Sequence, residues 1–241
     1  MPGIILVTPT YNEKLNLERL AKQIFFLGIP NLKMIVVDDN SPDGTADVAL
    51  ALAKKYPIEV IRRAKKLGLG AAYVEAFRRA LEHKPDYIIQ MDADLSHDPK
   101  VIPELLEKIN PSTGSGQETY DLVLGSRYVE GGKIENWDYA RQLVSKFGNI
   151  YARAVLGLPY KDLTGGFKCW RRSALEKIDF NALSSQGYNF QIETTHKAHL
   201  AGHKICEIPI TFTERKEGVS KFSPAIILEA FWKVLLLRFF K

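Results

Sequence analysis

The chain has 241 residues, of which 46% are hydrophobic and 25% charged, and its formal net charge is +5. That composition excludes a disordered polymer and supplies apolar material for one main domain. The modest positive charge suits anionic ligands or a membrane surface, and with no helix-turn-helix or RNA-binding signature no nucleic acid is expected as a partner.

Ile4-Ile5-Leu6-Val7 reads as a strand over 4–8, starting so early that no signal peptide is expected. It ends in Thr8-Pro9-Thr10-Tyr11-Asn12-Glu13, and a helix over 14–28 follows with Leu17, Leu20, Ala21, Ile24 and Phe25 on one face. A strand over 33–38 ends in Asp38-Asp39, and the turn chemistry of Ser41-Pro42-Asp43 precedes a helix over 44–55. A strand at 58–61 leads to a helix at 70–83. Tyr87-Ile88-Ile89-Gln90-Met91 forms a fourth strand ending in Asp92-Ala93-Asp94, and a helix runs from Pro99 to Ile109. Residues 111–116 read as a surface loop, and a strand at 121–125 ends at Ser126-Arg127. This β-α-β-α order predicts an α/β fold, a mostly parallel sheet with helices on both faces.

The second half is less regular. Residues 141–158 predict a helix with Leu143, Phe147, Ile150, Ala154 and Leu158 on one face, away from Arg141, Lys146 and Arg153. Gly165 to Trp170 reads as a loop entering a short strand, 189–201 as a helix and 205–213 as extended chain. Cys169 and Cys206 lack metal-ligand spacing and are expected to be structural thiols. The segment 224–241 is rich in Ile, Leu, Phe and Trp but broken by Glu229, Lys233 and Arg238. No run of eighteen uncharged apolar residues exists, so no self-contained transmembrane helix is expected. The division expected is a catalytic domain over 1–223 and an apolar segment, interfacial or partner-docking, over 224–241.

Asp92 and Asp94 carry the chemistry most clearly. Two carboxylates this close repel unless a cation lies between them. Oxygen-only ligands suit Mg²⁺ or Mn²⁺, which commonly bridge carboxylates to a substrate's phosphates. In open α/β sheets ligands bind at the carboxyl ends of strands, so the clusters at 8–13, 38–45 and 92–94 are expected to face one crevice.

Pro9 to Glu13, Asp38-Asp39-Asn40-Ser41-Pro42-Asp43-Gly44-Thr45, Gly68-Leu69-Gly70 and Asp92-Ala93-Asp94 together resemble the inverting glycosyltransferases of family 2, which have the GT-A fold. Asp92 to Pro99, Gly125 to Tyr128, Asp162 to Lys168 and Arg215 to Phe222 are similar to the dolichol-phosphate (polyprenol-phosphate) mannosyltransferase branch. The resemblance implies transfer of mannose from GDP-mannose to dolichyl or polyprenyl phosphate, giving a β-linked product. It implies that Pro9, Tyr11, Glu13, Val37 and Asp39 hold the nucleoside. Asp92, Ala93 and Asp94 would meet the sugar diphosphate, with Asp92 and Asp94 as metal ligands. Ser96 stands where some relatives carry a Gln ligand and would reach a metal through water. Arg215 and Lys221 would close over the diphosphate, and Gln191 is carried to the donor side. Arg127, Arg141 and Ser145 would hold the lipid phosphate, making Asp92, Asp94 and Arg127 the catalytic set. The lipid acceptor implies work at a membrane surface, on its cytoplasmic face. Two readings of the anchor stay open: small membrane-anchoring subunits, or a longer chain with its own membrane helices. Rival readings are a polyprenyl-phosphate glucosyltransferase, a polysaccharide synthase, whose Gln-x-x-Arg-Trp motif is absent, and a non-catalytic scaffold.

Overall fold

The computed structural model describes residues 1–111, 118–185, 187–214 and 224–239, the last with backbone alone for 224–230. The first half follows the expected alternation: β1 (Ile4–Thr10), α1 (Lys14–Phe26), β2 (Leu32–Asp38), α2 (Thr45–Ala53), β3 (Ile58–Arg62), α3 (Leu69–Glu82), β4 (Tyr87–Gln90) and α4 (Ile102–Ile109). Then come β5 (Leu122–Ser126), β6 (Lys133–Glu135), α5 (Tyr139–Leu156), β7 (Lys168–Arg171), α6 (Arg172–Leu175), α7 (Tyr188–Leu200), β8 (Ile205–Pro209), β9 (Thr211–Thr213) and α8 (Pro224–Phe239). Most of the surface loop expected at 111–116 lies outside the described residues.

One seven-stranded sheet has the order β3-β2-β1-β4-β7-β5-β8, and β6 pairs with β9 beside it. Strand β7 runs antiparallel to β4 and β5, and the other pairings of the large sheet are parallel. The order reverses at β1, whose neighbours are β2 and β4. A crevice opens outside the strand ends at such a switch point.

The central strands are buried on both faces, so alternate residues feed two cores. Ile4, Leu6, Met34, Val36, Ile89, Met91 and Ala93 join α1, α2 and α4 on one side. Ile5, Val7, Ile35, Val37 and Ile88 join α3 and the later helices on the other. Past the end of β4, Ala93 enters the first core and Asp92 meets Tyr73 of α3.

Helix α5 buries only a narrow face. Asn149, Ala152 and Leu156 are its buried residues. Phe147 is 64% and Ile150 48% exposed. The apolar stripe thus lies largely outward, while a polar Asn149 is buried because it binds Thr164 and the Leu163 N–H. The C-terminal segment is a helix packed on the fold. Tyr151 of α5 stacks on Phe231 at 3.7 Å and donates to its carbonyl, and Val234 is buried.

Candidate active site

Strands β1, β2 and β4 each hand over to a residue in left-handed conformation: Asn12 (φ 61°), Asn40 (φ 60°) and Leu95 (φ 61°). Asn tolerates this backbone, whereas for Leu it costs about 1–2 kcal/mol. The strain sits immediately after Asp94.

The first two loops are stitched together. Thr10 Oγ1 and Ser41 Oγ donate to Asp38 Oδ1, and the Ser41 N–H donates to Oδ2. The Asn12 and Glu13 amides donate to Ser41 and Thr45, and Asn16 donates to Glu13 at 2.8 Å. Asp38 is thus a fully buried organiser of the loop rather than a ligand group. Pro9 and Val37 are register partners, one residue before Thr10 and Asp38. Val37 points its side chain into the core, and its backbone lies between Pro9 of β1 and Ile61 of β3. Tyr11 follows, with the Lys66 ammonium 3.5 Å from its ring centroid. Asp39 accepts from Arg63 at 2.8 Å and from the Leu67 and Gly68 amides at 3.0 and 2.8 Å. Arg63 also reaches Glu75. Of the expected nucleoside residues, Pro9, Tyr11, Val37 and Asp39 lie at the carboxyl ends of β1 and β2, and Glu13 stands at the start of α1.

Asp92 is held from two sides. The buried Tyr73 phenol donates to Oδ1 at 2.5 Å. A Cβ on Gly166 would lie 2.8 Å from Oδ2. Burial and the neighbouring Asp92 charge hold the Tyr73 phenol well above its ordinary pKa, so it stays a donor. Asp94 Oδ1 accepts the Ser96 amide at 3.0 Å. Ser96 itself is buried. Among the described residues no group of three or more His, Cys, Asp or Glu side chains converges. Carboxylate oxygens suit a Mg²⁺-type ion, which commonly takes further ligands from water and substrate phosphate. Asp92 and Asp94 fit such an ion.

His97 Nε2 lies 4.0 Å from Asp92 Oδ2, with its ring 5.1 Å from both Phe167 and Phe212. Burial pushes its pKa down to about 4. It is neutral at physiological pH.

The cations expected at the acceptor form a second cluster, one aromatic layer away. Phe212, which touches His97, lies 5.2 Å from the Arg127 guanidinium carbon and 5.4 Å from Trp137. Arg141 stacks on Trp137 at 4.2 Å. Ser145 accepts from Tyr128 at 2.7 Å. Arg127 is committed internally, because its Nε and Nη2 fork onto Asp162 at 2.7 Å each and Nη2 also reaches Thr164. Burial opposes the charge on both partners, and their mutual attraction outweighs it, raising the pKa of Arg127 and lowering that of Asp162.

Gln191 is buried with its Oε1 2.6 Å from Gln90 Nε2. It sits beneath the end of β4. Glu193 is likewise buried, accepting the Ser184 and Ser185 amides. Arg215 and Lys221 lie outside the described residues.

Sequence reasoning missed Tyr73, Trp137, Phe212 and the roles of Asp162, Thr164 and Gly166. Tyr73 and Phe212 look like ordinary apolar positions. The Asp162-Leu163-Thr164-Gly165-Gly166 segment stood out as a motif, but its pairing with Arg127 and Asp92 is visible only in three dimensions.

Residues 5–179 match the profile of Glycosyl transferase family 2. The polyprenol monophosphomannose synthase of Mycolicibacterium smegmatis is 43% identical over 232 residues, 95% of this chain and 84% of that protein. The undecaprenyl-phosphate mannosyltransferase of Micrococcus luteus is 42% identical over 94% of this chain and 90% of that protein. Glucosyl-3-phosphoglycerate synthase of Mycobacterium tuberculosis, in complex with Mn²⁺, uridine-diphosphate-glucose and phosphoglyceric acid, matches with a TM-score of 0.65 at 21% identity. That match covers 98% of this chain and 79% of the other, a likeness of fold. With an α/β sheet of GT-A type and a family match across most of its length, this chain belongs to glycosyl transferase family 2.

Proposed function

We propose that the protein transfers mannose from GDP-mannose to dolichyl or polyprenyl phosphate with inversion at the anomeric carbon. The observation that carries this reading is the 162–168 segment. It touches the cation cluster through Thr164 on Arg127, and the carboxylates through Gly166 against Asp92. A donor diphosphate at Asp92 and Asp94 and an anionic acceptor at Arg141 would thus meet across one short loop. The names borne by the two close relatives support the lipid acceptor and the mannosyl group. GDP as the nucleotide is this reading's own extension.

The acceptor sets the mechanism. A phosphate monoester carries about −1.5 to −2 charge at neutral pH, so its oxygen attacks without a general base. The neutral His97 fits that economy. Arg141 and Ser145 orient the acceptor phosphate, and Arg127, fixed by Asp162, supplies a rigid wall behind it. Pro9, Tyr11, Val37 and Asp39 hold the nucleoside. A Mg²⁺ or Mn²⁺ ion on Asp92 and Asp94 would offset the charge of the departing diphosphate. Alignment and electrostatic preorganisation supply the rate enhancement. A single displacement converts an α-linked donor into a β-linked product.

The polyprenyl tail requires a bilayer surface, and the outward faces of α5 and α8 support docking there. Phe147, Ile150, Trp232 and Phe239 are exposed beside Lys146, the mixture interfacial helices use. Among the described residues no helix is long and apolar enough to cross a membrane. A small anchoring subunit and a cytoplasmic-face location belong to this proposal. The test is to incubate purified protein with Mg²⁺, a polyprenyl phosphate and a panel of labelled nucleotide sugars. Label entering lipid from GDP-mannose alone is expected. Label from UDP-glucose, or none from a folded, metal-loaded preparation, would refute it.

A further inference from the structure

The two acceptor-side arginines are paired very differently. Arg127 and Asp162 form a forked pair with side chains 5% and 0% exposed. Opening it would strand a buried charge. Arg141 makes a single bond from Nη1 to Glu214 Oε1, and the two side chains are 13% and 36% exposed. The Arg141 backbone is fixed by the Asp138 cap at 2.8 Å, and its guanidinium carbon lies 4.2 Å from the Trp137 ring centroid. Glu214 is anchored by its own amide to the Glu135 carbonyl, one residue after Thr213 binds the Ser96 carbonyl. Of the two described arginines of the cluster, Arg141 is thus the one whose carboxylate partner is more exposed and singly bonded, beside the loop that carries Asp94.

We propose that Glu214 is a resident competitor for the acceptor phosphate on Arg141, displaced when the lipid phosphate binds and returning to expel the product. The proposal rests on Arg141 being an acceptor ligand. During transfer an acceptor oxygen bonds to the anomeric carbon as that carbon's bond to the diphosphate oxygen breaks. The phosphate leaves as a diester with a single negative charge, down from about −1.5 to −2. Competition taxes every ligand of Arg141 by the same factor. The doubly charged acceptor tolerates that tax, while the singly charged product is left weakly held. Glu214 thus exchanges some acceptor affinity for product release.

The test is calorimetric titration of the full chain with a short, water-soluble polyprenyl phosphate and, separately, with its methyl diester as product surrogate. Glu214→Gln should tighten both ligands by about two- to fivefold, the range a partly exposed ion pair is worth. Glu214→Asp, which keeps the charge but shortens the reach, should fall between. The gain from Glu214→Gln should vanish in an Arg141→Ala background, which a merely structural effect would not do. Wild-type or weakened affinity in Glu214→Gln, with Arg141→Ala clearly weakened, overturns the competitor role while leaving the acceptor site standing. Unchanged acceptor affinity in Arg141→Ala removes the assignment on which the proposal rests.

Discussion

Tyr73→Phe isolates the positioning of Asp92. The substitution removes one oxygen and keeps the ring stacked between Phe77 and Phe190, whose centroids lie 5.8 and 5.7 Å away. The lost bond is a 2.5 Å phenol–carboxylate contact, and hydrogen bonds to charged groups are worth about 1.5–3 kcal/mol. Asp92 is 32% exposed, so water recovers part of that, and a stability loss of about 1 kcal/mol is expected. The kinetic loss should be larger, because a carboxylate free to swing by about 1 Å can cost on the order of 100-fold in rate. Initial rates across a Mn²⁺ titration, beside urea denaturation of the same preparation, separate the two. We expect turnover to fall at least about tenfold and the metal requirement to rise. A folded variant with wild-type turnover and metal dependence would refute the clamp.

Gly166→Ala should push the Asp92 carboxylate aside, lowering turnover with little change in Tm, since the Cβ meets a side-chain tip rather than backbone; unchanged turnover would contradict this. Asp94→Ala, like chelation of the wild type, should abolish transfer without unfolding, checked by circular dichroism and by rates in excess chelator. Arg127→Ala strands Asp162 and should destabilise by about 3–5 kcal/mol in urea melts, and a stable variant would show the fork to be dispensable. His97 gives a pH signature. Its folded pKa of about 4 lies below the unfolded 6.5, so the unfolded chain binds the extra proton between those values. Stability should therefore fall by about 3 kcal/mol as pH drops through that window. His97→Phe should flatten the slope, and an equal slope in both proteins would contradict the assignment.

The strands and helices of the first half are legible in the sequence because each apolar run ends in turn chemistry. What the sequence hides depends on contacts between distant segments. The reversed strand β7 is too short to announce its direction. The outward stripe of α5 reads equally as an interfacial or a core face, since periodicity cannot say which side of a helix meets the sheet. Arg127 reads as an available cation until Asp162, thirty-five positions on, is placed against it. Gln191 reads as a polar helix face until burial puts it against Gln90.

The most direct measurement is phosphorus and proton NMR of the lipid product formed from GDP-mannose and a short polyprenyl phosphate. We expect a phosphodiester joined to the β-anomeric carbon of mannose, formed only with divalent metal. An α-linked product, or GDP-mannose hydrolysed while the lipid monoester stays intact, would contradict direct displacement by the acceptor phosphate.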